Sequence, residues 1–165
     1  MWAVRVLMMM VVAFGLAACG GSKFKTYNGP EVTRVEVHKT DRKMYLLHNS
    51  EVLETYDIKL GFNPVGHKQF EGDGKTPEGS YRISHKNPRS RYHLSLGVSY
   101  PNENDVAFAE SLGKSPGGDI MVHGHSYFRG KNKNDWTAGC IAVRNKEMED
   151  IYAMVRPGTP ILILP

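Results

Sequence analysis

A cysteine and a histidine are the residues in this chain best suited to covalent chemistry. Cys140 lies in the segment TAGCI, residues 137–141, and the pair His123-Gly124 precedes the cysteine by 17 and 16 positions. A free thiol is mostly protonated at neutral pH, so an imidazole that takes its proton generates the thiolate needed for attack on a carbonyl carbon. The two residue types therefore predict a cysteine nucleophile, Cys140, with His123 as its base, and acyl transfer as the reaction.

The residues around the cysteine suit the same chemistry. Gly139 lets the backbone approach the reacting carbon, and the backbone amides of Ala138, Gly139 and Cys140 could donate hydrogen bonds to the oxyanion that forms. His125 could orient a substrate or replace His123 as the base. Several nearby residues are candidate substrate contacts: Gly124, His125, Tyr127, Trp136, Thr137 and Arg144. Aromatic and basic residues of the loop 127–136 could form a lid over an anionic substrate, or the loop could simply be solvated.

The second cysteine, Cys19, follows an apolar run that begins after Arg5 and ends in Leu-Ala-Ala. This run is shorter than the about 20 apolar residues that a membrane-spanning helix needs. The pattern predicts a lipoprotein signal peptide over residues 1–18, a lipid on Cys19 and a flexible tether over residues 19–32. Gly20 follows the cysteine instead of the Asp often linked to inner-membrane retention, which favours the outer membrane. An uncleaved apolar anchor, or a signal cut elsewhere, is the alternative.

Lipidation of Cys19 would leave Cys140 without a disulfide partner. An unpaired thiol in an oxidising envelope compartment is exposed to oxidation, so chemistry explains its presence better than packing does. The sequence therefore predicts a cell-envelope lipoprotein that faces the periplasm and is tied to the membrane through Cys19.

The charge balance excludes one class of partner. Removing Arg5 with the signal peptide lowers the formal net charge from +4 to +3. Such a mild excess suits an anionic wall polymer or lipid headgroups, and no cluster of Lys and Arg has the density that nucleic-acid binding needs. We expect a monomer whose single domain covers residues 33–165.

Alternating apolar residues predict that strands position these groups. Residues 34–60 have the pattern of a three-stranded antiparallel meander, and residues 61–79, rich in Gly, Pro and Asp, form a long loop. Further strands are predicted at residues 80–83 and 161–164. The apolar segments 120–122 and 141–143 lie beside the histidine and the cysteine, so adjacent strand ends can bring the two together.

Two short helices complete the prediction of a mainly β fold. Asn102 caps the first, which Gly113 closes. Asn145 is expected to cap the second, and Pro157 stops it. Apolar residues of this second helix recur on one face: Met148, Ile151, Tyr152 and Val155.

The chain resembles the L,D-transpeptidases of the YkuD type over residues 35–164. The resemblance is carried by His123-Gly124, by the segment TAGC at 137–140 and by the block GDGKTPEG at 72–79. It implies a β-sandwich that acts on peptidoglycan stem peptides through a thioester on Cys140, with His123 as the base. The expected products are new crosslinks or stem peptides with an exchanged terminal D-amino acid. No cofactor is implied.

Two positions depart from the common family pattern. The family usually has His immediately before Gly-Cys and Arg two residues after the Cys, whereas this chain has Ala138 and Ala142. Arg144, or a basic residue of the loop 127–135, could replace the usual arginine in binding a carboxylate. The departure leaves open a thiol hydrolase on the same fold, acting as an endopeptidase, a carboxypeptidase or an amidase that releases wall-attached protein.

Other interpretations compete with catalysis. Cys140 could be a small buried apolar residue, and His123 a core histidine with satisfied hydrogen bonds. Together with His125 they could bind zinc, although a fourth ligand is not evident; we predict no metal site. A lipoprotein that binds the wall without reacting would not need the Cys and His together.

Overall fold

The computed structural model describes residues 22–125 and 135–165. The signal peptide, Cys19 and Tyr127 lie outside the described residues. The strands are β1 Arg34–His38, β2 Lys43–His48, β3 Glu51–Asp57, β4 Gly79–Asn87, β5 Ser95–Val98, β6 Met121–His125, β7 Ile141–Arg144 and β8 Pro160–Leu164. Two helices accompany them, α1 Glu103–Ser111 and α2 Asn145–Met154. The prediction of a mainly β fold with short helices is confirmed.

The eight strands form a mixed sheet in the order β3-β2-β1-β8-β4-β5-β6-β7. Strands β1, β2 and β3 pair in antiparallel fashion, which confirms the predicted meander. Two pairs of adjacent strands are parallel: β1 with β8, and β6 with β7. His123 lies in β6, and Cys140 immediately precedes β7.

Backbone hydrogen bonds join the two ends of the sheet. Lys59, which follows β3, donates its amide to the carbonyl of Ala142 in β7 at 2.9 Å, and the amide of Ala142 donates back at 2.8 Å. Phe62 donates to the carbonyl of Thr137 at 2.9 Å. The sheet therefore encloses one core, whose largest fully buried side chains are Met44, Leu46, Ile58, Leu60, Ile83, Leu94, Leu96, Ile141, Met148, Ile151, Ile161 and Ile163.

The two helices begin at polar caps. Asn102 caps α1 as predicted. Its side chain accepts a hydrogen bond from the Asp105 amide at 3.0 Å, and the Asp105 carboxylate accepts one from the Asn102 amide at 2.8 Å. The prediction that Asn145 caps α2 is wrong by one residue. Arg144 is the cap, since its amide donates to Glu147 at 2.9 Å, so Asn145 is the first helical residue.

The first described residues lie along the domain. We call residues 23–25 the N-terminal strap. The Nζ of Lys23 donates to the carbonyls of Pro88 at 2.8 Å and His93 at 3.0 Å, and the Nζ of Lys25 lies 2.7 Å from the Asp150 carboxylate. The strap thus contacts both the loop before β5 and helix α2, within the range that the sequence predicts to be a flexible tether. Within residues 22–125 and 135–165, no helix is long and apolar enough to cross a membrane.

Candidate active site

Strands β6 and β7 place His123 and Cys140 at the same part of the sheet. His123 lies opposite Ala142 in the parallel register, and Cys140 immediately precedes β7. The thiol of Cys140 points to the start of β6, where its Sγ donates to the carbonyl of Asp119 at 3.5 Å. The structure therefore brings the predicted nucleophile beside the strand that carries the predicted base.

His123 is buried, with only 3% of its surface exposed. Burial lowers the pKa of its imidazole, a backbone hydrogen bond to Gly124 opposes this effect, and the neighbouring His125 lowers the pKa further. Nδ1 lies 3.0 Å from the carbonyl oxygen of Gly124, which can only accept a hydrogen bond. Nδ1 must therefore carry the proton, and the neutral ring keeps Nε2 as the proton acceptor.

Burial raises the pKa of the Cys140 thiol, with a smaller contribution in the same direction from Asp119. The backbone of Met121 and the charge of Lys68 act in the opposite direction. The resting pair is therefore a neutral thiol and a neutral imidazole. Such a pair needs the base to remove the thiol proton as the nucleophile attacks.

Thr137 holds the turn that presents the thiol. Its hydroxyl donates to the carbonyl of Cys140 at 2.6 Å and accepts the amide of Gly139 at 3.2 Å. Of the three amides predicted for the oxyanion, that of Gly139 is thus already engaged. The amides of Ala138 and Cys140 are the remaining candidates.

The glycine-rich block at residues 72–79 supports this turn from below. Gly139 has a φ of +135°, and a Cβ placed there would lie 2.7 Å from the carbonyl oxygen of Lys75. Only glycine accepts both the backbone angle and the close approach. A Cβ at Gly61 would lie 2.1 Å from the carbonyl oxygen of Gly74 and 3.2 Å from the Cα of Gly139. Three backbone segments therefore meet beside Cys140, the predicted nucleophile.

A buried carboxylate organises that block. Asp73 accepts the backbone amides of Gln69 at 2.7 Å, Phe70 at 3.2 Å and Lys75 at 3.0 Å, and the ammonium of Lys68 lies 2.9 Å away. Burial opposes ionisation, but these hydrogen bonds outweigh it and the pKa of Asp73 is lowered. Asp73 therefore shapes the loop on which the nucleophile turn rests.

Two aromatic rings pack against His123, the predicted base. The ring of Tyr92 stacks on His123 with 4.4 Å between centroids and an angle of 28°, and Trp136 meets His123 edge-on at 5.9 Å. Trp136 also contacts His125, with centroids 4.4 Å apart. Two predicted substrate residues, His125 and Trp136, thus lie at the site. Tyr92 was not predicted, because it comes from a loop 31 residues before His123 in the sequence and no local pattern distinguishes it.

The remaining predicted substrate residues lie at the margins. Gly124 is closely packed, since a Cβ there would lie 2.6 Å from Asn145 Oδ1 and 3.1 Å from the Tyr92 carbonyl oxygen. Arg144 pairs with His125 in the strand register, and its side chain is exposed beside Glu147. Tyr127 lies outside the described residues.

An ion pair fixes the chain just before the nucleophile turn. The guanidinium of Arg42 binds both carboxylate oxygens of Asp135, with distances of 2.7 to 3.2 Å. The same carboxylate accepts the amide of Leu60 at 2.9 Å. Both Trp136 and Thr137 then donate their amides to the Leu60 carbonyl at 3.1 Å. These bonds set where the Trp136 ring enters the site.

The two departures from the family pattern occupy different environments. Ala138 is exposed, whereas Ala142 is completely buried. No group of three or more His, Cys, Asp or Glu side chains that could hold a metal ion occurs in the described ranges.

Comparison with known proteins identifies the family. The family described as the L,D-transpeptidase catalytic domain, YkuD, matches residues 32–163. The chain belongs to this family. Among its relatives, YafK of Escherichia coli K12 is 27% identical over 127 residues, which cover 73% of this chain and 46% of YafK.

Several solved structures share the fold. The helical cell shape determining protein Pgp2 of Campylobacter jejuni superposes with a TM-score of 0.61 at 27% identity, covering 92% of this chain and 54% of Pgp2. An L,D-transpeptidase from Mycobacterium smegmatis gives a TM-score of 0.56 at 15% identity, covering 81% of this chain and 59% of that protein. The chain thus spans about half the length of YafK and Pgp2.

Proposed function

We propose that this protein is a peptidoglycan L,D-transpeptidase that works through a thioester on Cys140. The observation that carries the proposal is the hydrogen bond from His123 Nδ1 to the Gly124 carbonyl, which leaves Nε2 as the proton acceptor. His123 belongs to β6, and the Cys140 thiol contacts the Asp119 carbonyl just before that strand. Membership of the L,D-transpeptidase catalytic domain family supports the reaction class.

The proposed reaction has two balanced steps. In the first, His123 Nε2 takes the thiol proton while Sγ of Cys140 bonds to the carbonyl carbon of a stem peptide, and the amides of Ala138 and Cys140 hold the oxyanion. The C–N bond breaks, and the terminal D-amino acid leaves with the proton from His123. In the second step the incoming amine attacks the thioester carbonyl and gives a proton to His123 Nε2. The C–S bond then breaks and that proton passes to Sγ, which restores the thiol and the neutral imidazole.

Recognition of the stem peptide is assigned to the rim of the site. Arg144 offers an exposed guanidinium on the strand beside His125 and is suited to a peptide carboxylate. Trp136 would help to shield the thioester from water, which favours an amine as acceptor. Because Pgp2 is a cell shape determining protein, we include cell shape in the proposed role.

The test is muropeptide analysis of sacculi after incubation with purified protein. The wild type should form new crosslinks or exchange a supplied D-amino acid into stem peptides, and Cys140→Ala should do neither while melting at nearly the same temperature. His123→Ala should lower the rate by about 10²- to 10⁴-fold, the usual range for general acid–base catalysis. Full turnover in Cys140→Ala would refute the proposal, and an equal loss only in His125→Ala would transfer the role of base.

A thiol hydrolase on the same fold is the second candidate. It is favoured by the two departures from the family pattern. Exposed Ala138 stands where the family usually has histidine, and buried Ala142 stands where it usually has the arginine expected to bind a peptide carboxylate. Sacculi that only lose crosslinks, terminal residues or attached protein, without new bonds or exchange, would establish hydrolysis in place of transfer.

We further propose that the domain is held at the periplasmic face of the outer membrane by lipid on Cys19. The support is the apolar run that ends in Leu-Ala-Ala before this cysteine and the glycine after it. Cys19→Ser should move the protein from the membrane fraction to the soluble periplasm and leave the turnover of the domain unchanged. Retention in the membrane would indicate an uncleaved anchor.

A further inference from the structure

We propose that Tyr92 is a positioning residue for the base: its ring covers one face of the His123 imidazole and holds it in the orientation used for proton transfer. This inference rests on the proposed function, in which His123 serves Cys140. Tyr92 belongs to none of the three motifs that identify the family in this chain.

The contacts of Tyr92 are with the site. Its ring stacks on His123 at 4.4 Å and lies 6.5 Å from His125 and 6.2 Å from Trp136. Yet 45% of its surface is exposed, whereas His123 beneath it is 3% exposed. A tyrosine recruited mainly for core stability would be buried, so its place over the imidazole is better explained by what it does to that ring.

The backbone of Tyr92 is held against β6. The amide of Gly124 donates to the carbonyl of Leu94 at 3.2 Å, and the Tyr92 carbonyl lies 3.1 Å from where a Cβ of Gly124 would be. The amide of Tyr92 donates to Ser90 Oγ at 3.1 Å. This packing gives a reason for glycine after the catalytic histidine: a side chain there would push Tyr92 away from the imidazole.

Two other elements hold the next residue, His93. Its Nε2 lies 3.0 Å from a carboxylate oxygen of Glu149, which is buried in α2. Its carbonyl accepts the ammonium of Lys23 in the N-terminal strap at 3.0 Å. The loop that presents Tyr92 is therefore supported by β6, α2 and the strap, as a positioning role requires.

The ring affects the base in two ways. It limits rotation of the imidazole about its side-chain bonds, and it excludes water from one face. The titratable groups around His123 are the Tyr92 phenol, His125 on the same strand and the Cys140 thiol near β7, while its strand neighbours Ser95 and Ala142 do not titrate. Truncation of Tyr92 should therefore rehydrate His123 and raise its pKa toward the ordinary value of about 6.5.

Tyr92→Ala and Tyr92→Phe test the proposal, with Tyr45→Ala as the matched control. Tyr45 meets His38 at 5.1 Å on β1 and β2, so it is a tyrosine–histidine pair outside the site. Tyr92→Ala should lower kcat by about 10- to 100-fold, because small misplacements of a catalytic group have effects of that size. The acid limb of its kcat/KM profile should move to higher pH. Tyr92→Phe keeps the ring and should retain both properties.

The outcomes separate this inference from the proposed function. If Tyr92→Ala keeps the wild-type kcat and acid limb while His123→Ala loses turnover, Tyr92 does not position the base and the inference is overturned. The same holds if Tyr92→Ala loses activity only in proportion to the folded protein lost, with an unmoved acid limb, or if Tyr92→Phe is as impaired as Tyr92→Ala. Turnover that persists in Cys140→Ala would instead remove the proposed function itself.

Discussion

Replacing Thr137 by valine tests whether the nucleophile turn is held by one hydroxyl. Valine has nearly the same shape, so the change removes the two hydrogen bonds that join Thr137 to the Cys140 carbonyl at 2.6 Å and the Gly139 amide at 3.2 Å. Thr137 is buried, so water cannot easily replace them. Leaving a buried donor or acceptor unsatisfied costs about 1–3 kcal/mol, so for these two groups we expect a total loss of about 2–6 kcal/mol in unfolding free energy.

Thr33 provides a matched control for this change. Its hydroxyl also bridges a carbonyl and an amide, donating to Leu47 at 3.2 Å and accepting from Asn49 at 2.7 Å, but on the partly exposed side of the meander. Thr33→Val should lower the unfolding free energy by about 1 kcal/mol, because water can reach the freed groups. It should leave turnover unchanged.

Urea denaturation and turnover of sacculi measure the two consequences separately. At a temperature where both variants are folded, Thr137→Val should turn over more slowly than wild type by about 10²-fold, the effect of displacing a reacting atom by about 1 Å. Thr33→Val should match the wild type. Wild-type turnover in Thr137→Val, or a loss of stability no greater than that of Thr33→Val, would refute the view that this hydroxyl holds the thiol in place.

Three further expectations concern the base, the chain before the turn and the support beneath it. Because burial lowers the pKa of His123, its neutral form persists below pH ~6.5, so turnover should fall only at lower pH; a pH profile with its acid midpoint above 6.5 would contradict this. Arg42→Met strands the carboxylate of Asp135, and chemical denaturation should show a loss of about 2–4 kcal/mol; Arg42→Lys, which cannot bind both oxygens, should recover only part of it. Gly61→Ala drives a Cβ to 2.1 Å from a backbone oxygen and should lower the melting temperature sharply, whereas Gly118→Ala, with open space around it, should not.

The meander and the cap of α1 follow directly from local patterns. Val35 and Val37 alternate with polar residues because one face of β1 is buried, and this period is visible in the sequence. Asn102 and Asp105 satisfy each other's amides within one turn, so their spacing alone indicates the start of α1. Such features need no knowledge of the distant chain.

Strand β5 and the start of α2 show why other features escaped prediction. Strand β5 has only four residues, so the alternation of Ser95 and Gly97 with Leu96 and Val98 is too short to stand out, and Gly97 further weakens the strand signal. At α2 the side chain that accepts the cap amide belongs to Glu147, inside the helix, and an arginine in the cap position gives no signal.

In the candidate site, too, some residues can be predicted from local sequence and others cannot. The types and order of His123 and Cys140 predicted a nucleophile and base from the sequence alone. Tyr92 over the imidazole and Asp135 beside Arg42 depend on contacts between residues far apart in the chain, which no local spacing encodes. The hydroxyl of Thr137 was expected to meet a substrate, and its bonds within the turn became visible only with the backbone in place.

If Cys19 is lipidated as proposed, the N-terminal strap limits how far the domain can lie from the membrane. Lys23 is bonded to the body of the domain, so with acyl chains on Cys19 only four residue steps separate the lipid from the catalytic unit. Four steps span at most about 14 Å when fully extended. The lipid would then keep the domain close to the bilayer. It could reach only the wall strands nearest the membrane and not the full depth of the wall.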